Sequence, residues 1–179
     1  MTTAYSDLPV VQYEGPQSTN PLAYRWYDAN RVVLGKTLAE HLRPAVCYWH
    51  NFCWKGEDIF GLGATAHQRN WFAEADAVAA AKLKLDAAFD FFGKLGLPWW
   101  CFHDRDVAPE GATLAESNRI LDGLLEAAAK KMQDQKIGLL WGTANLFSNP
   151  RYMSGAATNP DPEVFAYAAA QVKLSLIHI

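Results

Sequence analysis

At 179 residues, half of them apolar, the chain is long enough to bury one sizeable core, which excludes a disordered protein. Sixteen Lys and Arg stand against 19 Asp and Glu without single-sign blocks, so there is no basic stripe of the kind that nucleic acid or an anionic membrane requires. The opening MTTAYSDLPVVQYEG lacks the basic start and apolar core of a signal peptide, no apolar run reaches the ~20 residues of a membrane span, and Cys47, Cys53 and Cys101 form no Cys-x-x-Cys. A cytoplasmic protein with reduced thiols, whose partner is a small molecule or another protein, is the expectation.

In chain order, a polar, turn-rich opening leads to a short helix near GKTLAEHL, and PAVCYWH (44 to 50) reads as a buried strand. A long loop rich in glycine and aromatics, NFCWKGEDIFGLGATAHQRNW, follows. Residues 74 to 95 place Val78, Ala81, Leu85, Ala88, Phe89, Phe92 and Leu95 on one helical stripe, with Gly96 as the stop. The unit then repeats. LPWWCFH (97 to 103) is a strand, and Thr113 with Glu116 forms a capping box before the stripe Leu114, Leu121, Leu124, Leu125, Ala128 and Met132. A third strand, KIGLLWG, leads through TANLFSNPRYMSGAATN to a helix marked by Asp161 as N-cap and Pro162 at its first position. Strand, loop and helix repeated three times predict an α/β domain with a parallel sheet and a site beyond the strands' C-terminal ends, in a barrel or an open sheet alike. The tryptophans, among them Trp49, Trp54, Trp71, Trp99, Trp100 and Trp141, either line a pocket there or serve the core or a subunit contact.

Chemistry concentrates where WWCFHDRDVAPEG leaves the second strand. His103 ends it and Asp106 follows three residues on; a carboxylate that turns back onto an imidazole fixes its tautomer and readies it as general base or acid. A hydrogen-bonded strand-end histidine beside turn-forming aspartates is the alternative. Cys47, His50, Cys53, Cys101 and His103 are candidate zinc ligands, but Cys47 and His50, an odd number apart on one strand, point to opposite faces. For a hard cation the strand ends offer Asp104, Asp106 and Glu110 at one place, so most ligands of such a metal would lie outside this chain. Gly61-x-Gly63 does not continue into a dinucleotide fingerprint, and neither a phosphate loop nor a Gly-x-Ser-x-Gly elbow occurs.

Together, YWHNFCWKGEDIFG, CFHDRDVAPEG and LLWGTANLFSNPRYMSGAATNPDPEVFAYAA resemble the N-terminal part of the longer-chain class of xylose isomerases, from VQYEG to about Lys173. The resemblance implies about three βα units of a (β/α)8 TIM barrel, and an aldose-ketose isomerase that interconverts D-xylose with D-xylulose, and glucose with fructose. It implies ring opening followed by a hydride shift assisted by two divalent cations per subunit, usually Mg2+. His103 matches the histidine of ring opening and Asp106 the carboxylate that orients it. Trp49, Trp141, Thr143 and Phe147 match positions around the sugar, and Phe60 an aromatic inserted into a neighbouring subunit of a homotetramer. No metal ligand is expected in this chain, because the family's ligands come from later strands. Rival readings are a related metal-dependent sugar epimerase or nuclease of the same barrel superfamily, or a non-catalytic assembly module.

A closed barrel takes roughly 250 residues, so residues 1 to 173 are read as the N-terminal portion of one domain, inactive alone, with an open sheet edge. Residues 174 to 179, LSLIHI, break from the alanine-rich helix and match the translation of a transposon end used in sequencing libraries; they are read as a foreign tail.

Overall fold

The computed structural model describes residues 4–57 and 68–177. It begins with a small antiparallel hairpin that the sequence pattern does not announce, β1 (Val32–Val33) against β2 (Lys36–Thr37). Its two turn residues, Leu34 and Gly35, both take positive φ (51° and 80°), the geometry whose twist matches antiparallel strands; a leucine there hides the turn, which Asn-Gly would have advertised. Thr37 then caps α1 (Leu38–His41) through a full capping box with Glu40.

Three strands carry the architecture: β3 (Ala45–Cys47), β4 (Trp99–His103) and β5 (Gly138–Thr143), all parallel, in the order β3-β4-β5. Cys47 pairs with Cys101, and His103 with Thr143, with a bulge in β5 opposite Trp100/Cys101. The first strand is shorter than 44 to 50. Tyr48 already has helical backbone and Trp49–Cys53 form a π-helical turn in which Tyr48 and Phe52 are both buried, a spacing of four that puts two side chains on one face of a strand and of a helix alike and so does not reveal the turn. This also removes the premise that His50 and Cys47 share a strand.

The segment after the π-turn contains α2 (Asn70–Ala73), whose Trp71 is buried and donates its indole N–H to Phe52 O at 3.0 Å. Next, α3 (Ala77–Leu95) starts later than residue 74 because Asp76 accepts hydrogen bonds from the N–H groups of Val78 and Ala79. It stops where expected, at Gly96 in the left-handed region (φ 64°). The expected stripe is buried at Ala81, Leu85, Ala88, Phe89 and Phe92, and packs Phe89 and Phe92 edge or tilted against Trp100 of β4 (ring centroids 5.2 and 5.9 Å).

A one-turn helix, α4 (Asp104–Val107), follows β4 directly, and α5 (Leu114–Gln135) follows it. Half of the predicted capping box at α5 forms. Thr113 accepts from the Glu116 N–H, but the Glu116 carboxylate bonds the N–H of Ala112, one residue earlier than the box requires. Asp161 caps α6 (Pro162–Ile177) by accepting from Glu163 N–H, and the helix continues past Lys173, with Leu174 packed against the core.

The core lies between the sheet and α3 and α5: Val46, Trp100 and Phe102 on the strands meet Leu85, Ala88, Phe89, Phe92, Leu121, Leu124 and Ala128. Strand alternation sends Cys101 and His103 to the opposite face. Two glycines of β5 admit β4's aromatics: a Cβ on Gly138 would come within 2.4 Å of the Trp99 ring, and one on Gly142 within 3.0 Å of Phe102. The three parallel βα units are consistent with part of a barrel; among the described residues no closed barrel is present. No helix of the described residues is long and apolar enough to cross a membrane.

Candidate functional site

His103 ends β4, and because α4 begins at the next residue, Asp106 comes back beneath it one helical turn later. His103 Nδ1 lies 2.7 Å from Asp106 Oδ2, both side chains being mostly buried. An ionised carboxylate only accepts, so Nδ1 is the donor, and in the neutral imidazole Nε2 is then the nitrogen with the lone pair. The i,i+3 relation within one turn makes this contact local, which is why it could be anticipated from spacing.

Three aromatics surround the imidazole. Trp49 has its ring centroid 4.4 Å away, Phe147 5.3 Å and Trp141 5.9 Å, and Trp49 and Trp141 are 5.3 Å from each other. They come from three places, the π-turn after β3, the strand β5 and the loop beyond it. Trp49 reaches His103 from a turn rather than from a strand. Trp141 and Phe147 remain exposed (38% and 66%), so this wall is open to solvent. Thr143 stands beside His103 in the β4–β5 register, exposed. Phe60 lies outside the described residues. Of the remaining tryptophans, Trp71 and Trp100 are core.

The thiols do not join this chemistry. Cys101 is buried beside Cys47, and burial, with the Cys47 thiol alongside, pushes its pKa up to about 12; burial also raises Cys53. All three cysteines are free. Among the described residues no three His, Cys, Asp or Glu side chains form a group able to hold a metal ion. A cavity of about 630 Å³ lies on the helix side of the sheet, among Trp100, Phe102, Met132, Leu139 and Leu174, away from His103.

What holds the site is a buried polar network that the sequence reading missed. Asp104, 2% exposed, accepts from Asn145 N–H (2.8 Å) and from Gln171 Nε2 (2.8 Å); Gln171 Oε1 accepts from Tyr152 O–H (2.7 Å). It ties α4 to the loop after β5 and to α6. A buried carboxylate is tolerable only when so satisfied. The sequence carries the signal in Gln171, a polar residue among the apolar positions of α6, and in Asp104, which by itself reads only as a candidate metal ligand. Outside it, Glu110 accepts from Arg151 (2.5 Å), Asn149 (2.7 Å) and Tyr167 (2.8 Å), and Arg151 stacks on the Tyr167 ring at 3.9 Å. Burial acts to raise the Glu110 pKa, but the bonds from Tyr167, Arg151 and Asn149, with the Arg151 charge, outweigh it and bring it below the ordinary carboxylate value.

No family model matches the chain. Curated relatives do. It is 56% identical over 172 residues to a xylose isomerase of Mannheimia succiniciproducens and 54% identical over 172 residues to one of Haemophilus influenzae, in each case over 96% of this chain and 39% of the relative. A xylose isomerase of Burkholderia ambifaria is 58% identical over 168 residues, 94% of this chain and 38% of the relative. Over nearly all its length the chain is therefore homologous to xylose isomerases, and it spans about two fifths of the length of the relatives it matches.

Proposed function

We propose that this chain is part of a xylose isomerase and supplies that enzyme's ring-opening acid and base, within an N-terminal portion running to about residue 173. The observation that supports it is the His103–Asp106 hydrogen bond at 2.7 Å, walled by Trp49, Trp141 and Phe147, in a homologue of proteins so named.

In this reading Nε2 of His103 takes the proton of the sugar's anomeric hydroxyl as the bond from the anomeric carbon to the ring oxygen breaks, and the imidazolium so formed returns that proton to the ring oxygen. Asp106 holds the imidazole in the tautomer that presents a lone pair and stabilises the imidazolium that forms. The aromatic rings offer apolar faces to the sugar's C–H groups, and Thr143 adds a hydroxyl at the same strand level. The described residues do not fit a divalent cation site, so the chemistry assigned to them stops at ring opening. The cations, Mg2+ by resemblance, belong to the part of the relatives that this chain does not span. The complete protein is read as a homotetramer with an aldose as its small-molecule partner, with Phe60 meeting a neighbouring subunit.

The test is completion. Grafting this chain's matched residues onto the remainder of the Mannheimia relative should yield Mg2+-dependent conversion of D-xylose to D-xylulose, and His103→Gln in that chimera should cut kcat/KM by roughly 10²- to 10⁴-fold, the range of general acid–base catalysis. Full turnover without His103 would leave a non-catalytic barrel segment as the better reading.

A further inference from the structure

We propose that Lys84 is a positioning residue that holds Asp106 within reach of His103, an inference that rests on reading this pair as the ring-opening acid and base. The bond between the two side chains exists only while α4 keeps its single turn. Four residues cannot hold a helix by themselves, since nucleation fixes more dihedrals than it gains hydrogen bonds. Anchors outside α4 must therefore set its geometry.

At the first residue of the turn, Asp104 is anchored by Asn145 and Gln171. The far side is held from α3. Lys84 Nζ donates to the main-chain oxygen of Asp106 at 2.6 Å, and the Cys53 thiol approaches the same oxygen at 3.7 Å. A cation on a carbonyl at the C-terminal side of a helical turn meets the negative end of its peptide dipoles and makes a charge-assisted bond.

Lys84 is itself confined. Its nitrogen lies 3.4 Å from Cys53 Sγ and 5.4 Å from the ring centre of fully buried Tyr48, and none of the ion pairs among the described residues involves it. The ammonium thus spends its hydrogen bonds on a carbonyl and a thiol. The bonded oxygen belongs to the same residue whose carboxylate meets His103. A displacement at Lys84 reaches the imidazole through one Cα.

The 179-residue chain serves for the test, read by the imidazole N–H proton of His103, which resonates far downfield when bonded to a carboxylate. Lys84→Met should lose this resonance while circular dichroism still reports a folded chain, and Lys84→Arg, which keeps the cation, should restore it. A resonance unchanged in Lys84→Met, absent from the parent chain, or lost equally in a folded Lys84→Arg overturns the proposal. So does a chain that unfolds with both Lys84→Met and the milder Lys84→Gln, since Lys84 would then support the fold at large. The readout needs no turnover, so an inactive chimera would count against the isomerase reading and not against this one.

Discussion

Asp104 shows how a side chain can matter without touching the candidate chemistry. Its two oxygens satisfy Asn145 N–H and Gln171 Nε2 in a space closed to water. Asp104→Ala leaves those donors unpaired, and each bond to a charged group contributes about 1.5–3 kcal/mol, so a loss of roughly 3 kcal/mol in urea denaturation is expected. Glu110 gives a pH dependence. Its folded pKa is lowered, so its contribution to stability is present above the ordinary carboxylate value of 4.5 and is lost as the pH falls below it. Stability measured from pH 6 down to pH 3 should therefore fall less steeply in Glu110→Gln than in the parent. At this scale the sequence was most legible where partners are close in the chain. His103 and Asp106 could be paired from spacing, whereas Asp104 and Gln171, 67 residues apart, could not.

Helix boundaries followed local chemistry. Gly96 ended α3 and Asp161 with Pro162 began α6, as side-chain capping and backbone freedom dictate. Among the elements that escaped, with the one-turn helices α2 and α4, the hairpin and the π-turn did so for opposite reasons. The hairpin of β1 and β2 turns on Leu34, a residue with no turn signature, and the π-turn at Trp49–Cys53 is written in apolar and aromatic letters that suit a strand equally well. Within β5 the glycines are spacers for β4's rings. Gly138→Ala would drive a methyl into Trp99, and should cost about 1–3 kcal/mol in thermal or urea unfolding, whereas Gly123→Ala inside α5, where nothing lies within 4 Å, should stabilise by about 0.5–1 kcal/mol. No loss in Gly138→Ala would show that Trp99 moves aside freely.

For the molecule as a whole, the three-stranded sheet ends at β3 and β5 with no further strand paired among the described residues, and Phe147, Trp54 and Phe165 are exposed. Open edges and apolar surface are positions where another part of a longer fold, or another copy, packs. The chain alone, incubated with D-xylose and Mg2+, is expected to form no xylulose above background; metal-dependent product would overturn the view that the catalytic apparatus is incomplete here. The foreign-tail reading of residues 174 to 179 stands as a proposal beside a helix that runs through them to Ile177. With Leu174 half-buried against the core, Leu174→Ala should cost about 1 kcal/mol in denaturant titration.

The sequence by itself determined the alternation of strands and helices, their apolar stripes and the helix ends at Gly96 and Asp161, and it placed His103 and Asp106 within one turn of each other, because each is decided by periodicity or by near neighbours. Tertiary structure alone decided that Trp49, Trp141 and Phe147 close around that histidine, that Asp104 is anchored across 67 residues by Gln171, and that Lys84 grips the backbone of Asp106. These contacts join segments tens of residues apart, and which distant groups meet is set by the sheet's register and the crossing of helices over it, quantities that no local pattern of residues encodes.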